Sequence, residues 1–209
     1  MTDIRDAVAG ERTDLVELLG GLPEADWDRP TLCTGWRVRE MVSHITMAYR
    51  IRPPRFVAGM IRAGGNFNRY ADRQARQDAA TLTSAELVDC LRQNVGNPWK
   101  PPGGGFEGAL SHDVIHGLDM TIALGIDRQV PHERLRYVLG ALRPRHVKYF
   151  GVDLADVRLQ ATDLPWTFGT GRPLTGTAQD LLMVLSGRHL PPGHLSGHAA
   201  DRFTVGVAR

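Results

Sequence analysis

His112 and His116 stand four residues apart in GALSHDVIHGLDMTIALG, with Asp119 close behind. Read as a helix over 110–124, the stretch turns about 100° per residue and sets all three on one narrow stripe. Ile115, Leu118 and Ile122 flank that stripe on one side, Met120 and Leu124 on the other. A polar stripe between apolar ones makes a poor solvent face. Two imidazoles at i and i+4 cover the same patch and can bind one metal ion. The helix therefore reads as half of a metal site. A second such pair, His194 and His198, lies in PPGHLSGH, where Pro and Gly forbid the helix that the geometry needs.

His44, in WRVREMVSHI, is the best candidate for a third ligand. It borders an apolar stripe of Val38, Met41, Val42, Ile45 and Ala48, and helical bundles build metal sites from inward side chains on facing helices. Three neutral imidazoles leave a position open for water or substrate, the arrangement of a catalytic site. Asp113 and Asp119 could each accept a hydrogen bond from a ligand's second nitrogen, and Asp119, sharing the stripe, is favoured. Taken singly, each histidine is more often a satisfied core or border residue; the case rests on the set. His132, His146, His189, His194 and His198 read as structural, Cys33 as a loop thiol without a histidine partner, and Trp36, Trp166 and Phe168 as core. Glu11, Glu17 and Glu40 are the nearest acidic candidates for proton transfer, and no motif places any of them.

The elements that must position these residues follow from spacing. Ile4, Val8, Glu11, Leu15, Leu18 and Leu22 predict a first helix over 2–19, ended by Gly20, Gly21 and Pro23. A second spans 36–49, with Thr34 as a possible cap. Pro53–Pro54 interrupts it, and a further helical piece reaches Arg62. A polar helix covers 69–77, and Thr83 with Glu86 fits a capping box for a helix through Asn94. The breaker run VGNPWKPPGGG leads into the His-bearing helix, which Gly125 ends. A last helix over 131–150 has Pro in its first turn and a kink at Pro144. Beyond residue 151 the pattern changes. Val157–Thr162 alternates, WTFGTG and RPLTG suggest a hairpin turning at Gly169–Gly171, 177–187 is a short apolar helix, and Arg202–Val207 alternates as a final strand. Two domains are expected, a helical bundle over 1–151 and a small α/β module over 152–209.

Composition bounds the partners. The 209 residues are 42% hydrophobic and 23% charged, with a formal charge of +2, as in a soluble globular chain. The arginines are scattered, so no nucleic-acid footprint is seen. No apolar stretch approaches the roughly 20 residues that span a bilayer, and the N-terminus reads as an amphipathic helix instead of a signal peptide. No membrane partner is expected. Two cysteines, Cys33 and Cys90, are too few for a disulfide framework and point to a reducing cytoplasm. The excess of Arg over Lys, with frequent Ala, Gly and Pro, hints at a GC-rich bacterial source.

CTGWRVREMVSHI, a distant HxxxHGLD and LQATDLPWTFGTGRPLTGTAQDLLMVLSGR together resemble the mycothiol-dependent maleylpyruvate isomerase family of actinobacteria. The resemblance spans nearly the whole chain in the right order. It implies a mainly α fold, a DinB-like metal-binding four-helix bundle followed by a small C-terminal α/β module. It places the family's first metal ligand on His44 and its last on His116. The middle ligand, a glutamate in the isomerase proper, falls on His112, and a three-histidine set is similar to the wider DinB-like thiol-transferase group. Arg188 corresponds to the family's arginine that approaches the metal pocket, where it would hold a substrate carboxylate or stabilise an enolate.

The implied cofactors are a divalent metal, Zn²⁺ foremost with Ni, Fe or Co also suited to nitrogen ligands, and mycothiol. The implied function is S-transfer or cis–trans isomerisation of a small unsaturated acid by a monomer or homodimer. Two alternatives use the same residues: a hydrolase in which the metal activates water, and a non-catalytic protein that binds a small ligand.

Overall fold

The computed structural model describes residues 3–206. Within them the chain forms two compact units that divide between Met120 and Thr121. Helix dominates, and a four-stranded sheet lies in the second unit.

The first unit is a helical bundle. Helix α1 (Ile4–Gly20) is capped by the Asp3 side chain, which accepts from the Arg5 N–H. Helix α2 (Val38–Arg50) follows, then α3 (Pro53–Arg62), α4 (Phe67–Ala79) and α5 (Ser84–Gln93). Helix α6 (Gly105–Leu124) carries the paired histidines and begins five residues ahead of the expected start at 110. α5 packs on both α1 and α2, and α4 lies along α2. The bundle buries Leu15, Leu19, Met41, Ile45, Leu87, Leu91, Leu110 and Leu118 almost completely, each contributing roughly 1.5–3 kcal/mol of transfer free energy. The capping box at α5 forms as its sequence predicts, with Thr83 Oγ1 accepting from the Glu86 N–H and the Glu86 carboxylate accepting from the Thr83 N–H.

Thr34 does not cap α2. Arg37 holds the cap position, and the carboxylate of Glu40 accepts from the Arg37 N–H at 2.9 Å and from its Nε at 3.0 Å. Burial pushes the Glu40 carboxyl up, but these Arg37 contacts together outweigh it and hold the group below its ordinary value of 4.5. A depressed carboxylate stabilises the fold above its unfolded pKa and loses that contribution as pH falls through the folded one. Glu40→Gln is therefore expected to lower Tm by a constant amount near neutrality, and the gap should close below about pH 4.5. A gap that persists into strong acid in melting curves would refute this assignment.

The second unit holds the end of α6, helix α7 (His132–Ala141), helix α8 (Pro144–Phe150) and a four-stranded sheet with helix α9 (Ala178–Leu185) against it. The expected 131–150 helix is two helices. Leu142 leaves α7 in extended backbone, and Pro144 opens the next helix instead of kinking one. Both pieces contact α9, which draws them into this unit although the change of sequence pattern falls near 151. The side chain of His146 lies outside the described residues.

Strands β1 (Val157–Ala161), β2 (Thr167–Gly169), β3 (Arg172–Gly176) and β4 (Leu195–Gly197) are ordered β2-β1-β3-β4. The hairpin expected at Gly169–Gly171 does not form between the strands it joins. β2 pairs antiparallel with one edge of β1, Gln160 opposite Thr167, while β3 pairs parallel with the other, Leu159 opposite Leu174. The link from β2 to β3 thus crosses the start of β1, at a distance only glycine tolerates. A Cβ on Gly171 (φ +118°) would sit 2.3 Å from the Asp156 carbonyl carbon, and one on Gly169 (φ +82°) 2.7 Å from the Val157 oxygen.

The expected 202–207 strand is also absent from the described residues. Ala200–Phe203 is a 3-10 turn, and Thr204 makes a single parallel bridge to Leu190. Val207 lies outside the described residues. No described helix is long and apolar enough to cross a membrane.

Candidate metal centre

His44 enters the site from α2, and His112 and His116 from adjacent turns of α6. One nitrogen from each ring lies within 4.8 Å of the others. Nε2 of His112 is 3.2 Å from Nε2 of His44, and the His44 ring is edge-on to that of His116 at a centroid distance of 5.0 Å. The i, i+4 spacing brings the two α6 rings to 4.7 Å. All three histidines singled out in the sequence thus converge in the first unit.

The second nitrogens of the α6 pair are committed elsewhere. Nδ1 of His112 is 2.9 Å from Oδ1 of Asp113, and Nδ1 of His116 is 3.1 Å from Oδ2 of Asp119. Both carboxylates are fully buried. A buried carboxylate accepts and does not donate, which assigns the ring protons to Nδ1 and leaves both Nε2 lone pairs facing the cluster.

His44 completes an arrangement that is costly without a cation. Its Nδ1 is buried and has no hydrogen-bond partner among the described residues. If His44 carries its proton there, a buried donor is unmet and two Nε2 lone pairs oppose one another at 3.2 Å. If it donates from Nε2 to His112 instead, Nδ1 is a buried, unmet acceptor. Burial, followed by the neighbouring His116 and His112, holds its pKa well below the ordinary imidazole value. His44 is consequently neutral at pH 7, as a metal ligand must be. The donor set fits a divalent ion that accepts nitrogen ligands.

The surroundings extend beyond what the sequence singled out. Arg12, fully buried on α1, donates from Nε to Oδ2 of Asp113 at 2.9 Å, so a chain of contacts runs from Arg12 through Asp113 to His112. The same guanidinium donates from Nη1 to the Asn97 carbonyl at 2.7 Å and sits 5.4 Å from the centre of the Tyr49 ring. Burial, then the charge of Asp113, pushes the Tyr49 hydroxyl far above its usual pKa, so Tyr49 stays protonated. Trp36 and Trp99 are half-buried and flank the cluster, at 5.0 Å from the His44 ring and 5.5 Å from the His112 ring. Trp36 is anchored by Nε1–H donating to Asp72 at 2.8 Å, and its loop is tied to α6 by the Leu32 N–H donating to the Asp119 carbonyl. The signal for Arg12 was its place on the inward stripe of α1, beside Val8, Glu11 and Leu15.

Other candidates stay apart from this cluster or take structural roles. Glu11 is buried on α1, Glu17 is exposed, and Glu40 caps α2. Neither Cys33 nor Cys90 is in a disulfide. In the second unit, His132 pairs with Asp163 and His194 with Asp180, while His189 and His198 are exposed. Trp166 and Phe168 are half-buried and stack on each other at 6.2 Å rather than filling a core. Arg188 is half-buried just past α9 and donates from Nη1 to the Ser186 carbonyl at 2.7 Å.

Among curated proteins none matches the chain by sequence. Two solved structures are similar in backbone, both of a mycothiol-dependent maleylpyruvate isomerase, one of them a mutant. They are 15% and 14% identical to this chain, and each covers 96% of this chain and 97% of its own at a TM-score of 0.47. The described family match covers residues 8–96, which include His44 and end before α6. Over those residues the chain matches the mycothiol maleylpyruvate isomerase N-terminal domain, the family that its own motifs resemble.

Proposed function

We propose that the protein is a divalent-metal-dependent enzyme that takes mycothiol as cofactor or co-substrate, for S-transfer or cis–trans isomerisation of a small unsaturated acid. One observation carries the proposal: three imidazoles with nitrogens within 4.8 Å of one another, two of them backed by buried carboxylates. His44, His112 and His116 would hold the ion, with Zn²⁺ the first choice and Ni, Fe or Co suited to the same donors. When bound, such an ion lowers the pKa of a thiol and keeps it as thiolate at neutral pH.

The protein's own groups then divide the work. Asp113 and Asp119 fix the tautomers of the two α6 imidazoles, so that Nε2 is the donor atom in both. The Trp36 and Trp99 indoles wall the His44 and His112 rings and thin the water around them, which strengthens electrostatic interactions inside the site. Arg188 is proposed to engage the substrate carboxylate, a role for which a guanidinium offers paired donors. No cysteine of the chain is required as nucleophile, since the thiol would come from the cofactor. Two cysteines outside any disulfide and a thiol cofactor both suit a reducing cytoplasm.

The test is turnover of maleylpyruvate by metal-loaded protein with and without mycothiol, followed by nuclear magnetic resonance. Turnover should require both metal and thiol, and Arg188→Ala should lower kcat/KM while metal content stays at one ion per chain. Turnover of esters or amides at full rate without thiol would transfer the site to hydrolysis. An Arg188→Ala variant as active as the wild type would remove that residue from the mechanism.

A further inference from the structure

Helix α3 carries apolar side chains on two faces, and the bundle uses one. Phe56, Gly59 and Met60 face inward. The Phe56 ring is edge-on to Tyr70 at 5.2 Å, Met60 packs on the small cluster of Met47, Ala63, Tyr70 and Ala71, and a Cβ on Gly59 would collide with the Tyr70 ring. At 100° per residue, Pro54, Val57, Ala58 and Ile61 fall together on the opposite side. All four are exposed, Val57 at 55% and Ile61 at 74%. A contiguous exposed apolar face of this kind marks an interaction surface.

Charge tells which partner suits it. Between Glu40 and Asp72 the sequence has no acidic residue, while Arg52, Arg55, Arg62 and Arg69 are all exposed and form no ion pair among the described residues. The first acids after this stretch are already paired: Asp72 with Trp36 and Arg76, Asp78 with Arg50 and Gln74. An apolar stripe rimmed by unneutralised arginines is the pattern of a helix that lies in an anionic lipid surface. A second copy is disfavoured, because a two-fold contact through this face would set the same arginines against each other.

We propose that the outer face of α3, Pro54–Val57–Ala58–Ile61 with its rim of Arg52, Arg55, Arg62 and Arg69, docks the protein reversibly on anionic membrane surfaces. Such docking is distinct from spanning and does not need a long apolar helix. It is independent of the metal centre.

Co-sedimentation with vesicles tests it, using phosphatidylcholine alone and phosphatidylcholine mixed equally with phosphatidylglycerol. The full-length protein should sediment with the mixed vesicles, not with the neutral ones, and high salt should release it. Val57→Asp with Ile61→Asp, and separately Arg55→Gln with Arg62→Gln, should each weaken binding about tenfold or more. Both variants should keep the wild-type circular dichroism spectrum and metal content. Absence of sedimentation with either vesicle, or equal sedimentation of wild type and variants, overturns the proposal. So does a concentration-dependent dimer that Ile61→Asp abolishes in the absence of vesicle binding, which would give the face to a second copy. Binding of polyglutamate but not of vesicles, with the same dependence on Val57 and Ile61, would give it to an acidic protein.

Discussion

Arg12→Ala is expected to destabilise the protein by about 3–5 kcal/mol, the loss seen when one partner of a buried ion pair is removed. Arg12 and Asp113 have no side-chain exposure, and their contact is a 2.9 Å Nε to Oδ2 hydrogen bond. Deleting the guanidinium strands a carboxylate in the bundle and unties the Asn97 carbonyl, which accepts from Nη1. A volume of side chain that α1 packs against Tyr49 is lost with it. Urea unfolding followed by circular dichroism measures the effect, and a loss below about 1 kcal/mol would show that the pair is not isolated from water as its burial indicates. The pair need not be stabilising relative to apolar side chains. Arg12→Met combined with Asp113→Leu should recover most of the stability, yet it removes the acceptor of His112 Nδ1. The single and double variants therefore separate the pair's structural cost from its orienting role.

Arg12 also illustrates where sequence reading stops. The three histidines were legible because helical spacing is local: His112 and His116 must share a face if the chain is helical there, and His44 borders the apolar stripe of another helix. Asp113 and Asp119 were legible for the same reason, each one turn or less from the imidazole it meets. Arg12 lies 101 residues from Asp113, and nothing in local pattern distinguishes it from an exposed arginine beyond its place on the buried side of α1. Trp36 and Trp99 read as core or loop residues, since only the tertiary structure sets them against His44 and His112.

In the second unit the misreadings share one cause. Gly169, Thr170 and Gly171 announce a reversal of the chain, but the same residues serve a hairpin and a crossing beneath β1. Which of the two forms depends on β1 pairing with both neighbours, a long-range fact. The alternation that begins at Arg202 likewise falls in a 3-10 turn over Ala200–Phe203, and Thr204 beyond it bridges only to Leu190 among the described residues. The cap at Thr83 was readable because its chemistry is contained in four consecutive positions, and the starts of the helices at Ile4 and Ala178 were read to within a residue or two, though not the caps at Asp3 and Thr177.

His116→Ala is expected to strip the metal from the protein and to leave the bundle folded. The proposed site takes one nitrogen from each of three side chains, so losing one leaves two donors and an ion held too weakly to survive purification. The bundle keeps its own apolar core, with Leu110 and Leu118 fully buried on the helix that carries the ligand, and helical content should be unchanged. Asp119→Ala is a finer test. It removes no donor but frees the His116 ring, whose Nδ1 rests 3.1 Å from Oδ2, and should weaken affinity about 10–100-fold. Elemental analysis of purified protein beside the triple variant of His44, His112 and His116 measures occupancy. Added Zn²⁺ should raise the Tm of the wild type, since a ligand that binds only the folded state at a hundred times its Kd contributes about 2.7 kcal/mol, and should leave the triple variant unmoved. Equal metal content in the wild type and the triple variant would end the ligand assignment. An ion retained by Asp119→Ala with undiminished affinity would instead keep the ligands and show that the buried carboxylate serves folding alone.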